Sequence, residues 1–387
     1  MYLRRLPEQI THRGASSYYS TIIVDLSRNL IALSLTDPRS VIDYSMQTWD
    51  LLLRQGRRSM LLSRLCHILL QQQLLERLPE QVRQHLLSEY VFFEKLDSTI
   101  RWEIRCITRA LEPLGCPTIL LKGAGYLIAG NTAAGGRVFS DVDILVPKGR
   151  INEVESALRG HGWVGTHQND YDQRYYRQWM HELPPMIHLK RHSNLDVHHN
   201  ILPEVGRVCP DAEKLFEQAE QIPEGPLLVL APVDRVIHSA VHLFHDGELD
   251  HGLRDLSDID LLLREYADSQ GFWESLPKRA DELRLSRSLY YALRYTKLFF
   301  NTPIPDVVIS ELNKAAPGYF GVRWMDSLFQ RALMPDHSSC DDRFTGLARW
   351  LLFIRSHWLC MPPLMLARHL LKKAGMRWQD RRSLKKR

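Results

Sequence analysis

Phe139-Ser140-Asp141-Val142-Asp143-Ile144-Leu145-Val146, closed by Pro147, is the stretch that decides how this chain folds. Two carboxylates stand one residue apart and lead into a β-branched and aliphatic run. In a strand, residues i and i+2 point to one face, so Asp141 and Asp143 aim together while Val142 turns into the core. Acids held side by side repel and raise each other's pKa. A hard divalent cation such as Mg²⁺ between them offsets that cost. The alternative is a solvated Asp pair at a strand edge.

The residues upstream favour the metal. Thr118-Ile119-Leu120-Leu121 is a compact apolar run suited to a buried strand, and Lys122-Gly123-Ala124-Gly125 reads as a turn after it. Tyr126-Leu127-Ile128-Ala129 forms a short helix, ended by Gly130-Asn131, and the loop Ala134-Gly135-Gly136-Arg137 follows. Small residues let a backbone approach phosphate closely, and turn amides and helix N-termini favour anions.

With these residues in view, the stretch resembles the core of the DNA polymerase β-like nucleotidyltransferase superfamily. It is most similar to an uncharacterised bacterial branch in which a Lys-Gly turn leads, through an arginine-bearing loop, to Asp-x-Asp-hydrophobic-Leu-Val. The commoner pattern has Gly-Ser or Gly-Gly where this chain has Lys122-Gly123, and the gap to Asp141 is longer here. The resemblance spans about residues 90 to 270. It implies a third carboxylate on a neighbouring strand, two Mg²⁺ ions and an NTP as substrate. Asp141 and Asp143 would bridge both ions, and Asp196 would hold the one that activates an acceptor hydroxyl for attack on the α-phosphorus, with no separate general base. Lys122, Gly123, Arg137 and Ser140 are the nucleotide-binding candidates.

The third acid has its own local pattern. Met186-Ile187-His188-Leu189-Lys190 and Leu195-Asp196-Val197-His198 read as two strands joined by Arg191-His192-Ser193-Asn194. Asp196 therefore faces away from the side that Leu195 and Val197 bury. His198 shares its face, where it orients the acid, contacts substrate or serves as a structural histidine.

Around this core the pattern is helical. Leucines recur at helical spacing from Ser40 to about Leu111, and Pro113 and Gly115 mark the end. Arg150–Arg159 suits one amphipathic helix. The segment 165–185 interleaves tyrosines and arginines, either stacking on a base or forming a hairpin edge. Residues 203–226 read as a linker holding one short helix. After Pro232, His238, His242 and His245 fall on one helix face, either as metal ligands or as a wall of the cleft. Ser257-Asp258-Ile259-Asp260 nearly copies the acid pair, but its apolar neighbours keep a helical period, in which i and i+2 diverge. Asp255 nearby could still face the cleft. The expected architecture is α+β: a small mixed-sheet nucleotidyltransferase core over 112–205, a helical module over 1–111, another over 206–343, and an apolar helix with a basic tail over 344–387.

Composition sets the outer bounds. The chain has 387 residues, 44% hydrophobic and 25% charged, with a net charge of +5, no low-complexity tract and no strong nucleic-acid signal. Its six cysteines show no CxxC spacing, which argues against a disulfide framework and for a reducing compartment. Arg4 and Arg5 are followed by no apolar segment, so a cytoplasmic protein without a signal peptide is expected. Residues 344–371 are interrupted by Arg355, His357 and Pro362-Pro363 and are too short of apolar residues to span a bilayer. With the basic tail, that helix either lies on the inner face of an anionic membrane or docks on the core. The acceptor stays open among a sugar, small molecule, peptide, protein or nucleic acid. A degenerate fold that binds nucleotide without transfer, or a membrane-surface adaptor in a biosynthetic complex, is the alternative function.

Overall fold

In the computed structural model, the described residues are 23–166, 170–222, 225–245, 249–362 and 365–366. Seven short strands form one mixed sheet: β1 (Ile119–Leu120), β2 (Asp141–Leu145), β3 (Trp163–Gly165), β4 (Met186–His188), β5 (Asn194–His198), β6 (Glu220–Gln221) and β7 (Leu228–Val229). Their order is β3-β4-β5-β2-β1-β7-β6. β2 runs parallel to β5 and β1 parallel to β7, while the other neighbours are antiparallel. Helices flank this sheet, and the fold is α+β.

The alternation in β2 divides its side chains between two cores. Val142, Ile144 and Val146 are buried with Ile104 and Ile107 of the helix Glu80–Leu111 and Leu158 of the helix Ile151–Gly160. Leu145, on the opposite face, joins a larger cluster. β5 repeats the division, because Leu195 and Val197 enter the smaller core and leave Asp196 on the other side. Each fully buried aliphatic side chain is worth about 1.5–3 kcal/mol. A one-residue slip in either strand would turn these apolar sets outward and the acids inward, so burial fixes the register.

The larger core joins the two ends of the chain. Trp49, Leu52 and Leu65, from the helices Met46–Arg58 and Leu62–Gln71, pack in one cluster with Leu256 and Tyr291, from the helices Gly252–Tyr266 and Ser286–Phe300. The 32-residue helix Glu80–Leu111 contributes Val82 and Leu86 to this core and Ile100 onward to the smaller one, spanning both over about 48 Å.

Several local expectations change. The stretch Lys122–Gly125 is already helical: Lys122–Ala129 is one helix that starts directly after β1. The Tyr- and Arg-rich segment holds the helix Asp170–Trp179 instead of a hairpin edge. The 203–226 segment holds the short helix Glu213–Gln218, but it also supplies β6, with β7 just beyond it, and these two-residue strands carry no period to read. The apolar helix near the C-terminus is Thr345–Cys360; the basic tail, Lys372 to Arg387, lies outside the described residues. So do residues 1–22.

Candidate active site

Parallel pairing of β2 with β5 sets Asp143 beside Asp196 and Asp141 beside Asn194. Residues paired in register point to the same face, and Asp141 joins Asp143 there by the period of two. One carboxylate oxygen from each of Asp141, Asp143 and Asp196 can be chosen so that all three lie within 4.8 Å of one another. Asp143 is buried, and the other two are partly exposed.

Two basic side chains share one oxygen of Asp143. Lys122 donates from Nζ to Oδ1 at 2.9 Å, and His198 Nε2 lies 3.0 Å from the same oxygen. The lysine gets there through an unusual backbone. The Leu121 amide donates to the Asp143 carbonyl at 3.0 Å, and Lys122 then adopts φ +44°. A non-glycine residue in that region costs of order 1–3 kcal/mol and is held there by its surroundings.

The electrostatics separate the buried Asp143 from the partly exposed Asp196. Burial would push the Asp143 carboxyl up, but Lys122 and His198 hold it well below the usual carboxylate range. Burial and the neighbouring Asp143 charge push Asp196 up to about 7. His198 is raised: burial opposes its charge, but the carboxylates of Asp143 and Glu182 outweigh that. A cation among the three acids would remove the repulsion that Asp196 feels, and an all-oxygen donor set suits Mg²⁺.

Arg137 is committed elsewhere. It is buried, donates from Nε to Asp258 at 2.6 Å and from Nη2 to Asp255 at 3.5 Å, and lies over the rings of Tyr126 and Phe139. Gly123 sits in the first helical turn, where a Cβ would fall 2.5 Å from the Arg137 guanidinium. Both residues therefore fix the approach to β2 from behind. Ser140 is exposed immediately before Asp141. Asp255 pairs with Arg254 at 2.9 Å and lies with Arg137 instead of with the acids.

His238, His242 and His245 line one cavity of about 110 Å³, together with Lys122, His198 and Cys360. His238 is buried and its pKa is lowered, first by burial and then by Lys122, so it stays neutral. The same cavity is lined by His181 and Glu182, which sequence reasoning did not single out. Glu182 meets His198 through an isolated antiparallel bridge and His181 stacks on the His198 ring, contacts that no local pattern shows.

Residues 45–301 match the model of a family described as uncharacterised nucleotidyltransferase. The chain belongs to that family. The match reaches well beyond the stretch that carries the acids. It begins beside the helix Met46–Arg58 and ends just after Ser286–Phe300, so it takes in the helices on both sides of the sheet. Neither a curated protein nor a solved structure gives a match to this nucleotidyltransferase-family chain.

Proposed function

We propose that the protein is a metal-dependent nucleotidyltransferase that moves an NMP from an NTP to an acceptor hydroxyl and releases pyrophosphate. The carrying observation is the shared face of Asp141, Asp143 and Asp196 on two parallel strands. Two Mg²⁺ ions, when bound, would lower the pKa of the attacking hydroxyl and neutralise charge on the leaving pyrophosphate. Asp141 and Asp143 are assigned to both ions and Asp196 to the one nearest the acceptor. Lys122 keeps Asp143 ionised and is the cation best placed to meet the triphosphate. Arg137 is assigned to holding the Phe139-Ser140 approach, because Asp258 and Asp255 engage its guanidinium. The acceptor is a small molecule, sugar, peptide or protein reached through the histidine-lined cavity.

The test is calorimetric titration of each NTP with and without Mg²⁺. Binding is expected to require Mg²⁺ and to be lost in the Asp141→Asn/Asp143→Asn double variant. Tight binding that ignores both the metal and the variant would favour a fold that holds nucleotide without transferring it.

A second reading concerns location. No helix among the described residues is long and apolar enough to cross a membrane. The helix Thr345–Cys360 nevertheless exposes Leu347, Trp350, Ile354 and Trp358 along one side. Lys372 to Arg387 follow in sequence with many cations and a single acid, Asp380. We propose that this face rests on an anionic bilayer, since an apolar row and a basic run together supply the two signals that stable peripheral binding needs. The full chain is expected to co-sediment with vesicles containing phosphatidylglycerol but not with pure phosphatidylcholine, and Trp350→Ser/Trp358→Ser to weaken this about tenfold or more. Equal recovery in both supernatants would remove the idea.

A further inference from the structure

Beside the three acids lies a second group of donors with different chemistry. His181, Glu182 and His198 can each offer one atom so that all three lie within 4.8 Å of one another. The backbone holds them there. Glu182 and His198 form an antiparallel bridge, the Leu183 amide donates to the Val197 carbonyl at 2.8 Å, and the His199 amide donates to the His181 carbonyl at 2.8 Å. The rings of His181 and His198 stack with centroids 5.3 Å apart.

We propose that His181, Glu182 and His198 form a binding site for Zn²⁺, separate from the acidic centre. Two imidazoles and one carboxylate are the donor set of many zinc sites that keep an open position, and imidazole favours Zn²⁺ over Mg²⁺. His198 Nδ1 and Glu182 Oε2 are 3.3 Å apart. That is about the separation of adjacent donors around a tetrahedral ion with bonds of about 2.0–2.1 Å. Without metal, the same spacing serves a protonated His198 between two carboxylates.

The other ring nitrogen strengthens the assignment. His198 Nε2 lies 3.0 Å from Asp143 Oδ1, so a carboxylate orients the imidazole from behind and leaves Nδ1 for the ion. One imidazole thereby joins the zinc site to an acid of the proposed transfer centre. The cavity lined by all three residues gives a fourth ligand room to enter, beside His242 and Lys122. Zinc at this position would hold a polar group of the acceptor next to the three acids. The site itself does not depend on whether nucleotidyl transfer occurs.

The test uses the full chain stripped with chelator. Co²⁺ is titrated as an optical probe for zinc, and Zn²⁺ retained after desalting is measured by elemental analysis without nucleotide. Expected are about one Zn²⁺ per chain, a visible Co²⁺ d–d spectrum of low coordination number, and at least about 100-fold weaker binding in Glu182→Gln and in His181→Gln, since losing even an outer partner costs about 10–100-fold. Asp141→Asn/Asp196→Asn should leave stoichiometry and spectrum unchanged. Far-UV circular dichroism and thermal unfolding in the absence of metal establish that each variant is folded, and Glu182→Gln keeps the side-chain volume. Absence of Zn²⁺ binding by folded wild-type protein would overturn the proposal. So would binding that survives both cavity substitutions, or a Co²⁺ spectrum that needs Asp141 and Asp196.

Discussion

Asp196→Asn is expected to lower pyrophosphate release from NTP by about 10³-fold or more while Mg²⁺-dependent NTP binding stays within a few-fold of wild type. The substitution keeps the side-chain volume, and Leu195 and Val197 still hold β5 in the smaller core. On the proposed mechanism, Asp141 and Asp143 remain for the ions that would accompany the triphosphate, and what is lost is the charge facing the acceptor hydroxyl. A 10³-fold loss corresponds to about 4 kcal/mol, within the several kcal/mol that metal-held charge supplies to such transition states. The folded protein should not suffer, because the acid removed is one that burial and Asp143 already disfavour. Release is followed with acceptors supplied as fractionated metabolite and peptide mixtures, and binding by calorimetry. Turnover at the wild-type rate would remove Asp196 from the catalytic set. Equal loss of binding and turnover would give it the same role as the other two acids.

The facing of each acid was legible because it rests on the simplest rule a sequence obeys. The placing of Asp196 beside the pair was implied by the family resemblance, since the pairing of β5 with β2 leaves no local pattern. A period of two places Asp141 with Asp143 and turns Asp196 away from Leu195 and Val197, and both placements follow from local burial alone. Arg137 was not legible in the same way. An arginine between a glycine loop and a pair of acids looks the same whether it waits for phosphate or for an internal carboxylate. Its partner Asp258 lies 121 residues away. The near copy of the acid motif keeps a helical period and lies in the helix Gly252–Tyr266. Arg254 and Asp258 stand four apart on this helix, yet Arg254 pairs with Asp255 and leaves Asp258 to Arg64 and Arg137. Helical spacing offers pairs; only the tertiary fold chooses among them. His181 and Glu182 were missed for a related reason, since a single bridge between distant residues has no period.

Asp258→Ala should destabilise the protein by about 3–5 kcal/mol, far more than Asp260→Ala at about 1 kcal/mol. Asp258 accepts from Arg137 at 2.6 Å and pairs with Arg64 at 2.8 Å, and all three side chains are almost completely buried. Removing the acid leaves the buried Arg64 guanidinium without its carboxylate and Arg137 with Asp255 alone, which is the costly way to break a buried network. Arg64 comes from the N-terminal helices, Arg137 from the loop before β2 and Asp258 from the C-terminal helices, so one carboxylate ties together the three parts that surround the site. Among the described residues, Asp260 pairs with the exposed Arg264 and accepts from the Thr302 hydroxyl. Urea unfolding of both variants reads the difference, and equal costs would refute this account of the network. Acid supplies a second reading. Burial would push Asp255 up, but Arg254 and Arg137 bring it down to about 2, below the roughly 4 of an unfolded aspartate. Its contribution is therefore complete above about pH 4 and disappears as pH falls through about 2, a loss of order 2–3 kcal/mol. Asp255→Asn should flatten the fall in stability across that window. An unchanged acid-unfolding profile would mean that the guanidiniums around Asp255 act through Asp258 alone.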